Sequence, residues 1–230
     1  ETAINTEKDI DYGLELAARC KEITEAYVFD MTGGSVWDLE KYCFKNKVSY
    51  EIVEKWYAAV LLEAQNMILD SYFRYLEKKR EPKDRFYEPK RKQFMKIGLI
   101  PALQDMLDDK LDILSISMPP GSGKTTVEKF LNSGIMGWFP KDFNLFYSHS
   151  GDITRMYYDG VQDILTNADE YTWNEIFPEL KVTSTNAKME QLNIGKYKPF
   201  PNLQCTSVGS KNAGKVRCNK FLLCDDLIGG

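Results

Sequence analysis

An apolar run that stops at two prolines and then turns through two glycines leaves a chain few ways to fold. Here Ile113 to Met118 meets Pro119-Pro120, bends through Gly121-Ser122-Gly123, and passes Lys124-Thr125-Thr126 into a helical pattern. That succession reads as a buried strand, a tight loop and a helix. Glycine at the turn positions lets consecutive backbone N–H groups face one point, and the following helix adds its positive end. The result is a cradle for phosphate oxygens, lined by Pro120, Gly121, Ser122, Gly123, Lys124, Thr125 and Thr126. Lys124 reaches the β- and γ-phosphates of a nucleotide, and the Thr125 hydroxyl sits on Mg²⁺. Met118 stands where the usual pattern has glycine. The bland alternative is a glycine-rich turn carrying an incidental lysine.

A second stretch weighs against that alternative. Lys220-Phe-Leu-Leu-Cys-Asp-Asp226 is an apolar run ending in two carboxylates. A buried parallel strand delivers such carboxylates to the C-terminal edge of a sheet, where phosphate loops also open. Asp225 then holds Mg²⁺ through water, and Asp226 orients an attacking water.

Composition narrows the field further. The chain has 230 residues, enough for one full domain and a smaller appendage. Its net charge of −4 advertises no overall affinity for nucleic acid, so any DNA contact is a local patch. Cys20, Cys43, Cys205, Cys218 and Cys224 are scattered without paired metal spacing, and His149 is the one histidine. That pattern points to reduced thiols in a cytosolic compartment rather than to zinc. No apolar run reaches the ~18 residues that span a bilayer, and no signal peptide is visible.

Taken in order, residues 7–30 read as a helix, Gly33-Gly34 as a break, and Ser35…Asp38 as a capping box opening a short helix through Phe44. A long helix follows from Tyr50 to Lys79, its apolar positions recurring every three or four residues. The two helices around the 46–49 turn look like a helix-turn-helix, but Glu51 and Glu54 suit packing or partner binding better than base reading. Residues 78–96 are basic and interrupted by Pro82 and Pro89. The domain boundary belongs here, either as a solvated linker or with Tyr87 or Arg91 stacking on an adenine ring. Residues 94–109 form a helix. Helices at 125–134 and 151–168, strands at 143–148, 192–194, 204–208 and 220–224, and a short element at 173–180 complete the pattern. Strands alternating with helices predict a parallel sheet covered on both faces. His149 reads as strand-end packing.

At this point the ordered set of motifs resembles the large terminase subunit of tailed bacteriophages. The stretches are Met118-Pro-Pro-Gly-Ser-Gly-Lys-Thr125, Tyr147-Ser-His-Ser150 before a helix carrying Arg155, Ile176-Phe-Pro178, Ala213-Gly-Lys-Val-Arg217, and Phe221-Leu-Leu-Cys-Asp-Asp-Leu-Ile228. The resemblance covers about residues 86–230. It implies an additional-strand P-loop NTPase: a parallel sheet flanked by helices over 83–230, preceded by an all-helical appendage over 1–82. The implied activity is Mg²⁺-dependent ATP hydrolysis that drives double-stranded DNA into procapsids in the host cytoplasm. The implied partners are DNA, a portal, a small terminase subunit and further copies in a ring, with no membrane. By the same resemblance, Lys124 and Thr125 hold phosphate and Mg²⁺, and Asp225 is the metal carboxylate. Asp226 stands where many relatives carry glutamate as the catalytic base. Arg155 is the candidate arginine finger, a solvated helix arginine being the plain alternative. The resemblance implies a strand between the phosphate-loop strand and the Asp225-Asp226 strand that comes later in sequence, as does the nuclease; either residues after 230 supply them or the sheet has an unfilled slot there. Rival readings are a helicase-like ATPase, a small-molecule kinase, and a docking module whose nucleotide site is structural.

Overall fold

The computed structural model describes residues 51–196, 198–210 and 216–227, with Leu14, Glu15, Ala17, Ala18, Arg19, Lys21, Glu22, Glu25 and Lys45 before them. The expected break at Gly33-Gly34, the 38–44 helix and residues 213–215 lie outside the described residues, as do Cys20 and Cys43. The chain divides into two compact units, residues 1–115 and 116–230. The basic turn and the helices after it therefore fall in the first unit, whereas the sequence pattern put the boundary at 82/83.

The described part of the first unit is helical: α1 (Glu51–Gln65), α2 (Leu69–Leu76), a 3₁₀ turn (Pro82–Asp84), α3 (Tyr87–Lys96) and α4 (Leu99–Leu107). The single helix expected over 50–79 is broken. Met67 takes a left-handed φ of 64°, which ends α1. Gln104 on α4 stabilises the break from both sides: its Nε2 donates to Met67 O at 3.1 Å, and Leu69 N donates to its Oε1 at 2.8 Å. A tertiary fork thus overrides an apolar period that runs straight through the kink. Gly98, with φ 78°, likewise separates α3 from α4, where one helix was expected over 94–109. Val60, Leu69, Tyr72, Phe73, Leu76 and Phe94 fill the core between these helices.

The second unit is a mixed α/β layer structure. It holds α5 (Lys124–Trp138), β1 (Asn144–Ser148), α6 (Gly151–Thr166), α7 (Trp173–Ile176), β2 (Val182–Asn186), β3 (Gln191–Ile194), β4 (Leu203–Ser207) and β5 (Leu222–Cys224). The sheet order is β2-β3-β4-β1-β5. β1 runs parallel to both neighbours, with Phe146 opposite Cys205 on one side and Leu223 on the other. β2 and β3 form an antiparallel hairpin, and β3 meets β4 antiparallel. The all-parallel expectation therefore fails at this edge. Residues 187–190 are too few for the crossover that a parallel pair needs, so the chain must turn straight back.

Central β1 is buried because α6 packs across it. The Phe146 ring stacks on Tyr157 at 3.6 Å between centroids, with planes 6° apart. α5 packs beside α6, and Tyr157 Oη donates to Glu128 O at 3.0 Å while accepting from Asn132 Nδ2 at 3.2 Å. Trp173 fixes α7 to the same layer by donating Nε1–H to Ser133 O at 2.9 Å.

The strand expected at Ile113–Met118 is not one. The segment has no regular secondary structure and no ladder partner among the described residues, and Ile113 is 87 % exposed. A strand is held by pairing, and this segment joins no ladder of the described sheet. β5 stands at the sheet's edge with Leu222 58 % exposed. No described helix is long and apolar enough to cross a membrane.

Candidate functional site

The turn before α5 has the backbone its sequence requires. Gly121 and Gly123 adopt φ of 75° and 100°, values that a Cβ would strain, and Ser122 N donates to Pro119 O at 3.2 Å across the bend. Gly123 caps α5, so Lys124 and Thr125 occupy its first turn, where the N–H groups have no partners within the helix. Ser122 Oγ is buried without a hydrogen-bond partner. A loop that buries a hydroxyl and curls on two left-handed glycines fits an anion better than an idle turn.

Opposite this turn stands the end of β5. Asp225 N donates to Tyr147 O at 2.9 Å, continuing the β1–β5 ladder one residue past the strand. That places the Asp225 carboxylate at the C-terminal edge of the parallel strands, 4 % exposed. Lys124 Nζ donates to Asp225 Oδ1, and Thr125 Oγ1 donates to Asp225 Oδ2 at 3.3 Å. The hydrogen bond that Lys124 donates to Asp225, outweighing partial burial, holds its ammonium above its usual range. Asp226 turns through φ 44°, and its carbonyl accepts from both the backbone N–H (3.0 Å) and the ring Nδ1 of His149. The Asp226 carboxyl-bearing residue is exposed. His149 thus ties the end of β1 to the turn after β5.

No family model, curated protein or solved structure matches this chain. The functional reading rests on the residues themselves.

The structure brings Lys124, Thr125 and Asp225 together and sets Asp226 next along the chain. It engages Arg155 locally: Nε donates to Asp159 Oδ2 at 2.9 Å, Nη1 donates to Ala187 O at 2.6 Å, and the guanidinium lies over the Tyr158 ring. Tyr87 and Arg91 belong to the other unit. The Tyr87 ring is fully buried against Phe73 and Phe94, and its hydroxyl donates to Asp70 at 2.7 Å. A ring with no exposed face cannot stack on adenine, which corrects that expectation for Tyr87. Arg91 spends Nε and Nη2 on the two Asp70 oxygens, each at 2.7 Å.

Glu128 carried no role in the sequence pattern, yet it belongs to this site. It follows Lys124 by four residues on α5, hence one turn further on the same face. It is 9 % exposed, and its Oε2 has no hydrogen-bond partner. Burial, then the Asp225 charge, push its carboxyl up to about 7, and Lys124 opposes them. The signal was the i, i+4 spacing from the lysine. Ser148, at the end of β1, is also buried with Oγ unpartnered.

Among the described residues, no group of three or more histidine, cysteine, aspartate and glutamate side chains is placed to hold a metal alone. Asp225 and the Thr125 hydroxyl are hard oxygen donors that suit Mg²⁺. That ion keeps most of its ligands as water and phosphate, so a sparse protein contribution fits it.

Proposed function

We propose that this chain is the ATP-hydrolysing motor portion of a protein like the phage terminase large subunit, with a P-loop NTPase fold in its second unit. The single observation carrying the reading is the convergence of Lys124 and Thr125 with Asp225 beside a glycine-turned helix start. The backbone N–H groups of residues 121–126 surround the triphosphate. Lys124 leaves Asp225 for the β- and γ-phosphates, and Asp225 and Thr125 Oγ1 are the residues that hold Mg²⁺. When bound, that ion supplies charge neutralisation across the two terminal phosphates. Asp226 orients the attacking water, with one methylene less reach than glutamate. Arg155 acts in trans on a neighbouring copy's nucleotide after giving up Asp159 and Ala187 O. DNA is gripped through its backbone, without sequence preference and with strong salt dependence. The portal, the small subunit, the ring and the host cytoplasm complete the proposal.

The test is Mg²⁺-dependent ATP hydrolysis by the protein with and without double-stranded DNA, beside Lys124→Ala. Loss of hydrolysis in the variant and stimulation of the wild type by DNA support the motor. Unchanged hydrolysis in Lys124→Ala overturns it. Phosphoryl transfer to a small acceptor, without DNA stimulation, makes the protein a kinase.

A further inference from the structure

A buried carboxylate oxygen without a donor is costly, and Glu128 keeps one next to two other carboxylates. A glutamine or leucine would pack at that position on α5 without the repulsion. The charges that act on Glu128 are Asp225, Lys124 and Asp226, all of them in the proposed nucleotide site. With Lys124 docked on Asp225, one ammonium serves this negative group. Once Lys124 turns to phosphate, the residues left behind carry an excess of negative charge. Such a field favours a divalent cation and disfavours bare nucleotide.

We propose that Glu128 is a positioning residue whose negative charge, buried one helical turn beyond Lys124, sets how strongly the site takes up Mg²⁺ together with nucleotide. The proposal rests on the nucleotide-site reading above. Glu128 is no ligand here: it acts through the Asp225 carboxylate and through the balance of Lys124 between Asp225 and phosphate.

The experiment compares wild type, Glu128→Gln and Glu128→Asp at pH 8, above the value near 7 to which Glu128 is pushed. ATP binding is titrated in excess chelator and then against Mg²⁺. Removing the charge is expected to raise the Mg²⁺ concentration for half-saturation about ten-fold in Glu128→Gln. ATP affinity in chelator is expected to stay equal or tighten, and Glu128→Asp to restore most of the Mg²⁺ response. A merely structural role would weaken both titrations alike. Half-saturation within about two-fold of wild type in Glu128→Gln, or equal weakening with and without Mg²⁺, overturns the proposal while wild-type binding keeps the nucleotide site standing. Wild type that takes up no ATP in either condition overturns both. If Glu128→Gln does not fold, the same titrations are made on Glu128→Met, which also removes the charge: a Mg²⁺ half-saturation raised about ten-fold with ATP binding in chelator kept supports the charge role, and one within about two-fold of wild type, or equal weakening in chelator and Mg²⁺, overturns it.

Discussion

Lys124 and Asp225 stand 101 residues apart in sequence and are joined by a side-chain ion pair. The pair closes the turn before α5 onto the end of β5. It also means that nucleotide phosphate must compete with a carboxylate for the same ammonium. Two substitutions should therefore behave differently. Lys124→Ala removes the phosphate's cation and should abolish ATP binding. Asp225→Asn frees Lys124, so ATP binding in chelator should hold or tighten, while hydrolysis falls by about 10²-fold or more. Binding titrations and single-turnover hydrolysis on the same preparations check this. Loss of ATP binding in chelator for Asp225→Asn would sink the competition argument.

Asn202 is the polar pin of the sheet. It is fully buried; its Nδ2 donates to Pro140 O and Asp142 O, both at 3.0 Å, and its Oδ1 accepts from Ile194 N at 2.9 Å. One side chain thus joins the loop before β1 to the end of β3. Asn202→Ala would strand the Asp142 carbonyl and the Ile194 N–H, while Pro140 O keeps Lys198 Nζ as a donor, an expected loss of about 2–4 kcal/mol. Denaturant unfolding followed by the intrinsic tryptophans measures it. A loss under about 1 kcal/mol would mean that water replaces the side chain.

Gly137 sits where α5 passes closest to the Phe177 ring. A Cβ there would stand 2.2 Å from Phe177 Cε2, deep inside van der Waals contact. Phe177 is also held edge-to-face by Trp138 and tilted against Trp173, so the ring has little room to yield. Gly137→Ala should gain a few tenths of a kcal/mol in helix propensity and lose about 1–3 kcal/mol to overpacking. A lowered thermal midpoint is the expected readout. A raised one would show that the ring moves aside freely.

How much of this was legible beforehand follows from the range of each signal. The 144–148 strand, the α6 helix and the Lys124–Asp225 convergence came from local patterns whose partners are equally local or whose chemistry demands one another. The α1–α2 break did not, because Gln104 imposes it from 38 residues after Asn66 and the apolar period continues across it. Ile113–Met118 misled for a related reason: composition suits a strand, but only a neighbouring ladder makes one. Tyr87 misled because a tyrosine among lysines looks exposed, whereas Asp70 and two aromatic rings draw it inward. Glu128 was readable from its spacing to Lys124, though nothing in sequence tells that its carboxylate is buried.

That buried carboxylate gives the site a pH signature. In the folded chain the Glu128 carboxyl is raised from its ordinary 4.5 to about 7, so the folded state favours the protonated form. Below pH 4.5 Glu128 is protonated whether folded or not, and it costs nothing. As pH rises from 4.5 to 7 the unfolded chain releases this proton and the folded one keeps it, so stability falls. Above pH 7 the full penalty of about 3 kcal/mol applies. Glu128→Gln has no such proton to lose. Its stability relative to wild type should therefore climb between pH 5 and pH 8, by roughly 2–2.5 kcal/mol of that penalty. Paired denaturant midpoints across that range isolate the slope from any constant packing difference. A difference that does not change with pH would mean that Glu128 is already ionised at pH 5, its charge satisfied by Lys124.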